Sequence, residues 1–123
     1  MSILLPVNQP YAELLVNGIK TIEWRKKPLP TGKAYIYETK NGGGRGLVIG
    51  EVEIGAGFYE NAETISDKLI KYGCISKDLL KQYAKGKPIF ANLIWIATKY
   101  KYPMPLSCFG LSRPPQSFCY LKQ

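Results

Sequence analysis

Gly18-Ile19-Lys20-Thr21-Ile22-Glu23-Trp24-Arg25 is the stretch on which the fold of this chain turns. It follows directly on Tyr11-Ala12-Glu13-Leu14-Leu15-Val16-Asn17, where Tyr11, Leu14, Leu15 and then Gly18 recur at helical spacing. The spacing predicts a helix over residues 10–17, entered through Asn8 or Gln9 and Pro10. Gly18 closes it in the left-handed conformation that costs a glycine no Cβ clash. Residues 20–27 then alternate. Ile22 and Trp24 share one face, and Thr21, Glu23 and Arg25 share the other, as in a half-buried strand. A carboxylate and a guanidinium thus stand two residues apart on one face, with Lys20 at the loop-to-strand junction.

Outward from this stretch the chain reads mostly as strand. Residues 2–7 form a short apolar run, and residues 33–40 are rich in Tyr and Ile. Asn41-Gly42-Gly43-Gly44 is a loop. Residues 47–59 read as one long strand in which Gly50, Gly55 and Gly57 predict bulges or a sharp bend. The middle is helical over 61–71 and 76–85, with Ser76 as N-cap, Asp78 in the first turn, and Gly86 and Pro88 as stops. Residues 89–102 return to strand, 103–110 are irregular, and 117–121 form a last short strand. Trp24 and Trp95 read as core. No repeat, low-complexity tract or linker divides residues 1–123, so one domain is expected. The order fits an α+β, mainly β fold: a mixed, largely antiparallel barrel decorated with about three helices.

Composition narrows the function. A chain of 123 residues that is 46% hydrophobic can bury a core without disulfide staples. Its 17 basic and 9 acidic residues leave a net charge of +8. Such a surface attracts polyanions, because each neutralised phosphate releases condensed counterions. Solubility and anionic membranes are the other uses of such a surplus. Cys74, Cys108 and Cys119 are odd in number and lack C-x-x-C spacing, which suggests neither disulfides nor zinc and fits a reducing cytoplasm. There is no histidine, which excludes Ser-His-Asp and Cys-His catalysis and imidazole metal sites. The first eleven residues lack the pattern of a signal peptide. The longest apolar stretch, 89–97, is broken by Asn92 and too short to span a bilayer. These features predict a cytoplasmic monomer with no membrane contact, metal or cofactor.

Gly18, Lys20, Glu23 and Arg25 together spell G-x-K-x-x-E-x-R after a first helix, and here the chain resembles the ASCH family. The segments Ala34-Tyr35-Ile36-Tyr37-Glu38-Thr39-Lys40, Val48-Ile49-Gly50-Glu51-Val52 and Arg113-Pro114-Pro115-Gln116-Ser117-Phe118-Cys119-Tyr120 extend the resemblance over almost the whole chain. It implies a PUA-like barrel with a cleft beside the first helix, where family members are proposed to bind RNA. Some relatives are enzymes. One bacterial branch deacetylates acetylcytidine nucleosides, and ribonuclease activity has been proposed for another. The deacetylating branch uses a lysine, a threonine three residues later and a distant glutamate. Lys20 matches the lysine, but Glu23 stands at the threonine position and Thr21 lies at another offset.

The residue types suit a ligand cleft. Arg25 offers a planar fork for a phosphate or a base edge. Glu23 can aim that fork or accept a base amine, and Lys20 can reach into the cleft. The structural alternative is a Glu–Arg pair at a barrel mouth beside a solvated lysine. Lys26, Lys27, Lys33, Lys40 and Arg45, interleaved with Tyr35 and Tyr37, fit a basic surface with stacking platforms, although alternate strand residues face opposite ways. The run from Asn41 to Gly46 lacks the G-K-[ST] ending of a phosphate loop and reads as a mobile connection able to close over a bound strand. Lys99-Tyr100-Lys101-Tyr102 fits a nucleic-acid face and equally a half-exposed strand. Arg113, Gln116 and Ser117 follow the family's tail, held extended by Pro114-Pro115; a chain end packed across the barrel is the other reading.

The expectation is therefore a binding module. Lys20, Glu23, Arg25, Lys26, Lys40, Arg113, Gln116 and Ser117 contact RNA or another single-stranded nucleic acid, a nucleotide or a modified nucleoside, and no bond is broken. The alternative is a small hydrolase of nucleic acid or modified nucleosides, with Lys20 and Glu23 as its catalytic groups and neither histidine nor zinc.

Overall fold

The structure, a computed structural model, describes residues 1–122. Along them run β1 (Ile3–Val7), α1 (Tyr11–Val16), β2 (Ile22–Arg25), β3 (Gly32–Glu38), β4 (Val48–Ile54), β5 (Phe58–Glu60), α2 (Asp67–Gly73), α3 (Lys77–Ala84), β6 (Ile89–Met104), a 3-10 turn (Leu106–Phe109) and β7 (Cys119–Tyr120). The strands join in the order β2-β6-β4-β3-β1-β7, with β5 also on β6. Among the described residues only β1 and β3 pair in parallel; every other pairing is antiparallel. The fold is mixed α+β, mainly strands, its sheet curled into a half-barrel that carries three α-helices.

The 16-residue β6 organises the sheet. Its first residues lie between β2 and β5, and the remainder pairs with β4. The expected strand over 47–59 is thus two strands, β4 and β5, both laid along β6 and interrupted at 55–57. A side chain at Gly55 would overlap the indole of Trp95, so that ring rests on bare backbone.

Three apolar clusters hold the layers together, each fully buried Leu or Ile stabilising by about 1.5–3 kcal/mol relative to an exposed one. Inside the curl, Ala12, Leu15 and Val16 of α1 meet Leu5, Ile36 and Val52. Outside it, the C-terminal segment lies over Leu4, Tyr37 and Val48, with Leu121 buried among them and the rings of Tyr35 and Phe109 centred 4.9 Å apart. Tyr35 and Tyr37 are therefore packed beneath the chain end. Under α2 and α3, Ile22, Trp24, Leu80, Ile89 and Ala91 form the third cluster.

Helix α1 ends as the sequence predicts. Gly18 has φ +74°, and the N–H groups of Ile19 and Lys20 both donate to the Leu14 carbonyl. Side-chain Oε1 of Gln9 accepts from the N–H of Glu13 at 3.1 Å. Ser76 caps α3 through the N–H of Leu79 at 3.2 Å.

Three further expectations are corrected. The helix expected over 61–71 begins at Asp67, because Ser66 is its N-cap, accepting from Leu69 N–H. Asn61 instead closes a turn on Glu63 N–H at 2.9 Å. Strand β2 is buried on both faces, not one: Ile22, Glu23 and Trp24 all lie inside. The α2–α3 pair covers one face, while Asn92 pins the other by accepting from Leu29 N–H at 2.9 Å and donating to the Glu23 carbonyl at 3.0 Å. Trp95, expected in the core, is 70% exposed. A register shift between the Glu53 and Ile54 pairs turns both Ile94 and Ala97 toward the core, and Trp95 and Ile96 are left outside. Among the described residues no helix is long and apolar enough to cross a membrane.

Candidate functional site

The end of β1, the start of α1, strand β2 and helix α3 enclose a cleft of about 400 Å³. Pro6, Val7 and Asn8 form one side, Tyr11 and Trp24 contribute rings, and Ile75, Leu80 and Tyr83 form the opposite wall. Lys20, Glu23 and Arg25, brought together by the short β2, line it as well.

Glu23 is the centre of this charge cluster. Its Oε2 accepts from Arg25 Nε at 3.0 Å and lies 2.9 Å from Nη2, a two-nitrogen grip that fixes the plane of the guanidinium. Nη2 also donates to the Pro6 carbonyl at 3.2 Å, tying β2 to β1. On its other side Oε1 stands 3.7 Å from Lys20 Nζ. Lys20 donates in addition to the carbonyl of Gly73 at the end of α2, and its ammonium sits 5.4 Å from the Tyr11 ring. Burial pushes the Lys20 ammonium below its ordinary value, against the opposing pull of Glu23. A buried ion pair is tolerated when its remaining donors find acceptors, and the Gly73 carbonyl is that acceptor.

The arrangement gives each group a distinct capacity. Lys20 is fixed by a carboxylate and a carbonyl and lies almost wholly inside. Glu23 has both oxygens engaged, Oε2 with Arg25 and Oε1 facing Lys20. Arg25 keeps part of its side chain in solvent.

A second chamber of about 920 Å³ adjoins the first. The two share Pro6, Asn8, Thr39 and Gln116. Lys40, Asn41, Ser107, Ser112 and Arg113 line the outer one. Of the candidate residues, then, Lys20, Glu23 and Arg25 meet in the inner cleft, Lys40 and Arg113 in the outer chamber, and Gln116 borders both. Lys26 lines neither but lies 5.2 Å from the ring of Tyr83 in the cleft wall. Ser117 is exposed and borders neither cavity. Asn8, Tyr11, Thr39 and Tyr83 also line the inner cleft, and no local sequence pattern marks them as site residues.

The glycine-rich loop is anchored rather than free. Glu38, buried at the end of β3, accepts from Arg45 Nε and, at 3.1 Å, from Arg45 N–H, and from Gln9 Nε2 at 2.6 Å. Burial opposes the charge on Glu38, yet these hydrogen bonds outweigh it and hold the carboxyl below its ordinary range. In Lys99-Tyr100-Lys101-Tyr102, Lys99 pairs with Glu13 at 3.0 Å and Tyr100 donates to Glu51 at 2.8 Å, which leaves Lys101 and Tyr102 exposed. Among the described residues no group of three or more His, Cys, Asp or Glu side chains could hold a metal ion.

A curled, largely antiparallel sheet with one helix packed inside it defines a class of small barrel-like domains. The model of the ASCH domain matches residues 5–101, and the chain belongs to that family, a PUA-like fold often implicated in RNA binding. Among solved structures it is similar to the ASCH protein of Zymomonas mobilis, at 23% identity and a TM-score of 0.82, over 99% of this chain and 88% of that one. A tyrosine-to-phenylalanine variant of the same protein matches at 23% identity and 0.82, over 99% and 91% of the two chains. A serine-to-alanine variant matches at 23% and 0.81, over 99% and 89%. At this identity the likeness speaks for the fold alone. No curated protein matches the chain.

Proposed function

We propose that this protein binds RNA, or another nucleic acid, through the cleft beside α1. The observation that carries the reading is the Glu23-held guanidinium of Arg25 at the mouth of a ring-lined cleft. A pre-aimed planar donor fork suits a phosphate or the acceptor edge of a base, and rings offer faces on which bases stack. The net charge of +8 supports attraction to a polyanion, and family membership supports the class of ligand. A hydrolase of the acylcytidine-amidohydrolase or ribonuclease kind is less well supported. Lys20 is doubly tied, and Glu23 is spent on its two cations.

The test is a titration with labelled single-stranded RNA, duplex RNA, tRNA and single-stranded DNA at two salt concentrations, each mixture then run on a denaturing gel. Binding that weakens with salt and leaves the polymer intact supports the module. Cleavage would move Lys20 and Glu23 back to a catalytic role. An absence of binding by every polymer would overturn the reading.

A further inference from the structure

The two chambers differ in how their charges are used. In the inner cleft, Glu23 already neutralises part of what Lys20 and Arg25 supply. The outer chamber is lined by Lys40 and Arg113 and by no carboxylate, and among the described residues neither cation has a carboxylate within ion-pair distance. Two unspent cations beside a cavity form a place for an anion whose charge the inner cleft does not accommodate. The chambers meet over Asn8 and Thr39, so one extended molecule can occupy both.

Size and chemistry then limit the ligand. A cleft of about 400 Å³ walled by Tyr11, Trp24 and Tyr83 is of the size that takes a small-molecule unit, not a helix of paired bases. A base can enter such a cleft only when it is unstacked and splayed out from its neighbours, which a single strand allows and a duplex resists.

Resting on the nucleic-acid reading of the cleft, we infer that the ligand is a single strand longer than one nucleotide. One nucleotide unit sits in the inner cleft. The continuing sugar–phosphate chain crosses the Asn8–Thr39 ridge into the outer chamber, where Lys40 and Arg113 hold phosphate. The outer chamber is thus a backbone subsite that supplies affinity without reading sequence, and the inner cleft supplies selectivity.

The experiment compares the whole protein with the double variant Lys40→Ala, Arg113→Ala. The probes are a labelled mononucleotide, single-stranded RNA and DNA octamers of one sequence, and the RNA octamer annealed to its complement. Both substituted side chains are exposed, and circular dichroism checks that the fold is kept. The native protein is expected to bind the tighter octamer at least tenfold better than the mononucleotide or the duplex. The double variant is expected to lose roughly tenfold for that octamer, as two solvent-exposed charge contacts go, and to change less than twofold for the mononucleotide. Its dependence of log affinity on log salt should fall by about 1.4, at about 0.7 per phosphate of a single strand. An octamer held equally tightly by both proteins overturns the outer subsite and leaves the cleft reading standing if Arg25→Ala still weakens it. A duplex bound as well as the single strand overturns the single-strand assignment. Octamer binding that neither variant weakens takes down the cleft reading itself.

Discussion

Glu23 is the residue whose loss is felt on both sides. Two cations lean on one buried carboxylate, so Glu23→Gln leaves Lys20 inside the protein without its counter-charge. Breaking such a pair from one side costs about 3 kcal/mol, whereas replacing both partners by apolar groups costs far less. Urea denaturation should therefore find Glu23→Gln about 3 kcal/mol less stable than the native chain, and Lys20→Met, Glu23→Gln should recover part of that, since the buried ammonium is gone while Arg25 still lacks its partner. Additive losses in the double variant would mean that the two groups do not act as a pair. A second carboxylate gives a pH-dependent test. Glu38 has its carboxyl held below the ordinary 4.5, so its contribution to stability is present above pH 4.5 and is lost as pH falls through the folded value. Arg45→Ala removes one of the bonds responsible. The difference in Tm between native and Arg45→Ala proteins should be largest near neutrality and shrink below pH 4.5. A constant difference across that window would show that the ion pair contributes nothing.

At the scale of elements, the cleft wall depends on how α2 docks. Gly73 ends that helix against the indole of Trp24, where a Cβ would overlap Nε1, and its carbonyl receives Lys20. Thr21 N–H donates to the Tyr72 carbonyl at 2.9 Å beside it. Gly73→Ala should cost about 1–3 kcal/mol through overpacking and displace the wall, seen together as a lower urea midpoint and a shifted tryptophan emission. An unchanged midpoint would argue that α2 is only loosely seated. Much of this scale is legible in the sequence. Gly18 announces the end of α1, Ser76 the start of α3, and the alternation from Lys20 onward announces β2, because each signal is local. What is not legible is tertiary. Trp95 looks like core until a bulge in its pairing with β4 puts it outside, and no property of residues 94–97 alone sets that register. Tyr83, Asn8 and Thr39 reach the cleft from three distant parts of the chain, so no spacing links them. The motif residues were legible as neighbours, but the engagement of Lys20 with Gly73, 53 residues away, was not.

For the molecule as a whole, charge and shape make one joint prediction. On the proposed reading, a surplus of eight positive charges attracts nucleic acid, and the cleft with the chamber beside it would fix where the strand lies. Contact with about three phosphates corresponds to a log–log salt slope of about −2 for a single strand. A slope near zero would point instead to a neutral small ligand. The central claim, that Arg25 in the grip of Glu23 is the group that engages the nucleic acid, is tested most directly by the dissociation constant of Arg25→Ala for a single-stranded RNA that the native protein binds. A loss of about 1–3 kcal/mol, with the fold intact by circular dichroism, is the predicted result. An unchanged dissociation constant would contradict it and place the binding surface elsewhere on the domain.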